Sequence, residues 1–112
     1  MRNFYTVVLE RMQTKEAPSF ATEPYETAWA GEAMFFIRIH ELQGKNARLR
    51  SRTQVSADGM DWLDEGTAFP PIDKAGSYMI KVAHFGGWLR LFNEIEGEGA
   101  KAVLTVQLVL KE

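Results

Sequence analysis

The most constraining feature of this chain is its last stretch, where Ala102, Leu104, Val106, Leu108 and Leu110 alternate with Val103, Thr105, Gln107 and Val109. A period of two sends the first set to one side of an extended strand and the second to the other, whereas a helix needs apolar residues three and four apart. The same alternation recurs upstream. Phe35, Ile37 and Ile39 alternate with Phe36, Arg38 and His40; Leu49, Ser51, Thr53 and Val55 with Arg48, Arg50, Arg52 and Gln54; and Tyr78, Ile80, Val82 and His84 with Met79, Lys81, Ala83 and Phe85. Phe4 to Met12 mixes aromatic and β-branched residues and places Tyr5, Val7 and Leu9 on one face. No stretch carries a capped apolar stripe at helical spacing, and 22–33 is the one segment with room for a short helix.

Turn residues divide these strands. Gly44-Lys45-Asn46 predicts a hairpin between 33–43 and 47–56. With a three-residue loop, His40 faces Arg48 and Arg38 faces Arg50, and the basic side chains form a ladder that requires a counter-charge, a ligand or a partner surface. A loop one residue longer flips one strand and dissolves that ladder. Gly86-Gly87 predicts a second hairpin, with Ile80, Val82, Leu89 and Leu91 on an apolar face and Lys81, Phe85, Trp88, Arg90 and Phe92 on an aromatic and basic one. Glu96-Gly97-Glu98-Gly99 predicts the last turn. Pro18 and Pro24 interrupt any ladder in 13–32, which predicts a long loop or arm laid on the body by Phe20, Tyr25 and Trp29. About eight strands with regular turn signals predict an all-β fold, an antiparallel β-sandwich of jelly-roll-like type, as a single domain spanning 1–112.

Composition excludes several kinds of chemistry. The chain has no cysteine, so disulfides, thiolate metal sites and cysteine nucleophiles are absent together. A net charge of -2 gives no overall attraction to nucleic acid or to an anionic membrane, and neither is an expected partner. Charge is instead segregated by segment. Arg38, Lys45, Arg48, Arg50 and Arg52 are opposed only by Glu41, while Asp58, Asp61, Asp64, Glu65 and Asp73 follow. No stretch approaches the roughly 20 apolar residues of a membrane span, and the first residues lack the apolar run of a signal peptide. The expectation is cytoplasmic synthesis, with a virion as one destination.

Catalytic signals are weak. Asp58, Asp61, Asp64 and Glu65 surround a tight turn and supply the hard oxygens calcium prefers, but their spacing is not that of an EF-hand, and a turn-forming Asp beside solvated acids explains them more simply. His40 and His84 lie on different strands, and the expected place of His84 is a packed, hydrogen-bonded position on the core side. Ser51, Ser56 and Ser77 lack a nucleophile-elbow context, and no carboxylate pair is singled out for glycoside hydrolysis. We therefore expect no catalytic residue, metal ligand or cofactor, and no enzyme activity. The interface or ligand candidates are Arg38, His40, Arg48, Arg50 and Arg52, which suit an anion or an acidic subunit surface, and Phe85, Trp88, Arg90 and Phe92, which suit stacking. The alternatives are a solvated strand face for the first group and the core of a second sheet for the other.

From Val55 to Leu110 the chain resembles small jelly-roll and discoidin-like β-sandwich modules, as in bacteriophage head, fibre and tail accessory proteins. The residues that carry the resemblance are Ser56-Ala57-Asp58-Gly59-Met60-Asp61-Trp62, the Gly76-Ser77-Tyr78 lead-in and Trp88-Leu89-Arg90-Leu91. Discoidin-like domains are usually longer, secreted and often closed by disulfides, so the phage-like branch fits this chain better. The resemblance implies a sandwich with a binding or assembly role. The first expectation is a non-catalytic structural protein that forms a homo-oligomer, a trimer among the candidates, or decorates a shell such as a virion. The second is a carbohydrate-binding module that uses Trp29, Trp62 or Trp88 as a stacking platform.

Overall fold

The computed structural model describes residues 4–83 and 85–112. Seven strands follow one another: β1 (Phe4–Glu16), β2 (Ser19–Ala21), β3 (Tyr25–Glu26), β4 (Glu32–Ser56), β5 (Leu63–Ala68), β6 (Gly76–Val82) and β7 (Trp88–Lys111). The described residues contain no helix. β4 and β7 pair antiparallel from Glu32↔Lys111 to Ser56↔Trp88 and form the spine of the molecule.

A straight strand of that length would span about 80 Å at ~3.3 Å per residue, yet the molecule is only 47 Å long. The long strands therefore bend, and glycine marks where. Gly44 and Gly97 hold φ of 117° and 120°. A Cβ on Gly44 would fall 2.7 Å from the Ala100 Cα, and one on Gly97 would fall 2.8 Å from the Ala47 Cα. Only glycine lets two backbones cross this closely. Register shifts at Ile39/Glu41, Gln43/Lys45 and Lys45/Arg48 complete the bend.

Each long strand thus serves both layers of an antiparallel β-sandwich. In the first half-sheet β1 and β6 flank the C-terminal part of β7 and the N-terminal part of β4. In the second, β2, β3 and β5 flank the remaining parts. The bulges also preserve which face is inward. β7 buries Leu89, Leu91 and Ile95 before the bend and Ala100, Ala102, Leu104, Val106, Leu108 and Leu110 after it, so the parity changes while the buried side does not. These side chains form one core with Phe35, Ile37, Ile39, Leu49, Ile80 and Val82. Phe69 and Ile72, between β5 and β6, close it, and Ile72 exchanges hydrogen bonds of 2.8 and 2.9 Å with Leu49.

The interior of the second half-sheet is more polar. Buried Ser51 donates to Asn93 Oδ1, and Asn93 Nδ2 donates to the carbonyls of Phe20 and Leu91. Thr22 Oγ1 accepts from Leu91 N at 3.0 Å, and Thr27 Oγ1 donates to Gly87 O at 3.2 Å. These groups stitch 18–27 onto β7, satisfying polar groups that would otherwise be costly to bury. Within 13–32, where the prolines suggest an arm, β1 thus runs on to Glu16 and β2 and β3 add two short edge pieces to β7.

Three expected turns are corrected. Gly44-Lys45-Asn46 does not reverse the chain: β4 bends there but continues, and 33–43 pairs with β7 and β6 instead of with 47–56. The ladder of His40 opposite Arg48 and Arg38 opposite Arg50 is therefore absent. Arg48 and Arg50 face Glu96 and Glu94, which replaces like-charge repulsion by attraction. Gly97 likewise bends β7 without ending it. Gly86-Gly87 does not join β6 to β7 as a hairpin, because β6 pairs with β4. Gly87 is needed for a different reason: at φ 61° it lies against the carbonyl of Ser56, leaving no room for a Cβ. The expectation for His84 lies outside the described residues.

Candidate functional site

Because Ser51 and Thr53 of β4 and Leu91 and Asn93 of β7 point inward, their neighbours point out. The register then sets Arg48 beside Glu96, Arg50 beside Glu94, Arg52 beside Phe92, Gln54 beside Arg90 and Ser56 beside Trp88. β5 brings Asp64 opposite Gln54 on the other flank. The two sets read separately in the sequence, arginines on one strand and aromatics on another, meet here on the outer face of the second half-sheet.

The side chains form a connected row. Arg50 Nε donates to Glu96 Oε1 at 3.1 Å. Arg52 donates through Nη1 to Glu94 Oε1 at 2.7 Å and through Nε to Asp64 Oδ1 at 3.1 Å, with its guanidinium 4.8 Å above the Phe92 ring. Gln54 Nε2 also donates to Asp64 Oδ1, at 3.1 Å, while Gln54 Oε1 accepts from Arg90 Nε at 2.8 Å. The Arg90 guanidinium in turn lies 4.3 Å from the centre of the Trp62 ring. The Gln54 hydrogen bond, followed by Arg52, holds the Asp64 carboxyl below its usual range. The Glu94 hydrogen bond, followed by Asp64, pushes Arg52 up. Burial alone pushes Arg90 down.

The Ser56–Trp62 turn delivers Trp62 to this row. Asp58 Oδ1 accepts from Met60 N at 2.9 Å, Asp61 N at 3.1 Å and Ser56 Oγ at 3.0 Å, and Ser56 Oγ accepts from Gly59 N at 2.8 Å. The Met60 amide, then the Asp61 amide and the Ser56 hydroxyl, hold the Asp58 carboxyl below its ordinary range. Gly59, at φ 81°, packs beneath Trp88, where a Cβ would meet the ring at 3.3 Å. The Asp58 carboxylate therefore shapes the turn, and no three of Asp, Glu, His and Cys gather to hold a metal among the described residues.

Of the residues singled out by sequence, Arg50, Arg52, Trp88, Arg90 and Phe92 are brought together, with Arg48 at one end. Arg38 and His40 lie apart, on the outer face of the first half-sheet, where the His40 Nε2 is 2.9 Å from Thr105 Oγ1. Phe85 stands across the Ser56–Asp58 turn in a shallow cavity of about 610 Å³ with Val55 and Leu63. Gln54 and Glu94 were not anticipated, and Asp64, weighed in the sequence only as a calcium ligand, joins the row as the partner of Arg52 and Gln54. Their signal was the need of the arginine row for counter-charges, which becomes specific only once β7 and β5 are known to flank β4.

The fold defines the class of protein: an antiparallel β-sandwich module. No protein-family model and no curated protein matches the sequence. Among solved structures, the chain is similar to the CBM36-1 domain of a multidomain xylanase from the hindgut metagenome of Trinervitermes trinervoides, with a TM-score of 0.55 and 15% identity over 96% of this chain and 96% of that one. It is also similar to PirA, with a TM-score of 0.51 and 13% identity over 99% of this chain and 93% of that one. At these identities the likeness establishes the fold and nothing finer.

Proposed function

We propose that the protein is a non-catalytic carbohydrate-binding module whose ligand lies across the outer face of the second half-sheet. The observation that carries this reading is the row Trp62, Arg90, Gln54, Asp64, Arg52 and Phe92. A sugar presents C–H faces that pack on aromatic rings and neighbouring hydroxyls that need paired donors and acceptors. Here both kinds of group stand side by side, and each polar side chain is already held by another, so little rotamer freedom is lost when a ligand lands. The CBM36-1 neighbour, a carbohydrate-binding module of the same fold, adds support. Asp64 is held below the ordinary carboxylate range, the opposite of what a general acid for glycoside cleavage requires.

The test is affinity electrophoresis through gels carrying different polysaccharides. At least one polymer should retard the wild-type protein, and Trp62→Ala should lose most of that retardation while its circular dichroism stays that of a β-sheet protein. Unretarded migration through the whole set, xylans included, would remove the reading.

One further observation favours assembly as a second reading. Val8, Met34, Phe36, Met79, Val103 and Val109 share the outer face of the first half-sheet, and Met79 is 41% exposed. These apolar side chains share the face with Arg38, His40 and Lys81, and such a mixed surface suits association with further copies or with a shell, as a virion accessory protein would use it. Solution mass at high concentration discriminates: a defined oligomer that Phe36→Glu dissociates supports assembly, and a strict monomer counts against it.

A further inference from the structure

We propose that the sugar recognised by this face carries an oxyanion, a uronate carboxylate or a ring sulfate, and that Arg90 is the residue that receives it. This rests on the carbohydrate-binding reading and narrows it to acidic glycans.

The cations on this face are neutralised to different degrees. Arg50 is paired with Glu96, and Arg52 with both Glu94 and Asp64. Arg48 is in register with Glu96, but its side chain makes no ion pair among the described residues and stands exposed to water. Arg90 differs from the paired Arg50 and Arg52, and from Arg48 in being half-buried. It has no carboxylate partner among the described residues; its Nε bonds to the neutral amide of Gln54, and its guanidinium lies 4.3 Å from the centre of the Trp62 ring. Burial disfavours its charged form, while the compensation in place is one hydrogen bond to an amide and an interaction with an aromatic ring.

Geometry says where the missing charge belongs. With Nε engaged, the two terminal nitrogens, Nη1 and Nη2, have no hydrogen-bond partner among the described residues. Neither is sealed from solvent, since Thr53 Oγ1 is the only buried unpartnered side-chain polar atom among those residues. A guanidinium held at Nε, with both terminal nitrogens unpartnered among the described residues and not sealed from solvent, matches the two oxygens of a carboxylate or sulfate. Trp62 and Trp88 flank it, so a pyranose ring has apolar surface to rest on while its acidic substituent reaches Arg90. Asp64 and Glu94 share the single positive charge of Arg52, which offsets part of their repulsion of such a ligand.

The test compares one polymer in two forms: a glucuronate-substituted xylan, and the same xylan after reduction of its carboxylates to neutral alcohols. Titration calorimetry of the wild-type protein should give affinity for the acidic form roughly 10- to 100-fold above the reduced form, the value of one charge-assisted contact. That advantage should shrink as sodium chloride rises. Arg90→Met should bring both forms to the same weak level, with Arg90→Lys intermediate. A sulfated xylan bound with the same dependence on Arg90 assigns the site to oxyanions generally. Equal wild-type affinity for the acidic and reduced forms, or an unchanged preference in a folded Arg90→Met, overturns the inference and leaves the carbohydrate reading standing. If the wild-type protein binds none of the three xylans nor any other polysaccharide, both fall together. The wild-type comparison requires no variant to fold.

Discussion

Thr53 offers the sharpest check on the packing described above. Its side chain points into the second half of the core, it is 0% exposed, and its Oγ1 has no hydrogen-bond partner among the described residues. The neighbouring hydroxyl of Ser51 escapes the same fate by bonding to Asn93. Leaving a hydroxyl buried and unpaired costs about 1–3 kcal/mol. Valine has nearly the same shape, the same branching at Cβ and a high preference for strands. Thr53→Val removes the penalty and buries one more methyl, worth up to about 0.8 kcal/mol. The expected result is a gain of about 1–3 kcal/mol by urea unfolding, with the thermal midpoint rising by about 4 °C for each kcal/mol. Thr53→Ser is the control: it keeps the hydroxyl, loses the methyl, and should fall by about 1 kcal/mol. A Thr53→Val protein less stable than wild type would refute the reasoning, because it would mean that the hydroxyl makes a bond that valine cannot replace.

Gly87→Ala forces a Cβ against the Ser56 carbonyl at a φ of 61° and should cost at least about 2 kcal/mol; an unchanged urea midpoint would show that the β4–β7 junction relaxes freely. Acid titration tests the two depressed carboxylates. Asp58 and Asp64 both have folded values below the ordinary one, so their contribution is complete above the unfolded value of about 4 and disappears as pH falls through the lower folded values. The thermal midpoint should drop less between pH 6 and pH 3 in Asp58→Asn than in wild type, and parallel curves would mean that the turn adds nothing that titrates.

The period-two pattern located the buried faces well: Phe35, Ile37 and Ile39, and every even residue from Ala102 to Leu110, are in the core. Strand partners were harder to read for a physical reason. Gly44 and Asn46 do hold positive φ, at 117° and 57°, as a three-residue hairpin loop would allow, yet the same backbone freedom serves a bulge in a strand that continues. Local sequence cannot separate the two outcomes, since the choice depends on which distant strand offers the better partner. β7 offers both an apolar partner for 33–43 and acids for the arginines of 47–56. The site was legible to the same extent. Repulsion within the arginine row signalled that a counter-charge was required, but only the long pairing of β4 with β7 identified it as Glu94 and Glu96.

Core and candidate site are thus set by one device. The bulges near Gly44 and Gly97 keep Leu49 inside after the bend in β4 and Leu91 inside before the bend in β7, and in doing so they fix Arg52 beside Phe92 and Gln54 beside Arg90 on the outside. A slip of one residue in either strand would bury an arginine and expose a leucine, so the apolar core enforces the register of the polar row far more strongly than its surface ion pairs, each worth about 0.2–1 kcal/mol, could do themselves. Residues of the row can therefore vary without endangering the fold. Arg90, held by an amide and a ring and by no carboxylate, stands out within that row because stability alone does not call for a cation at its position.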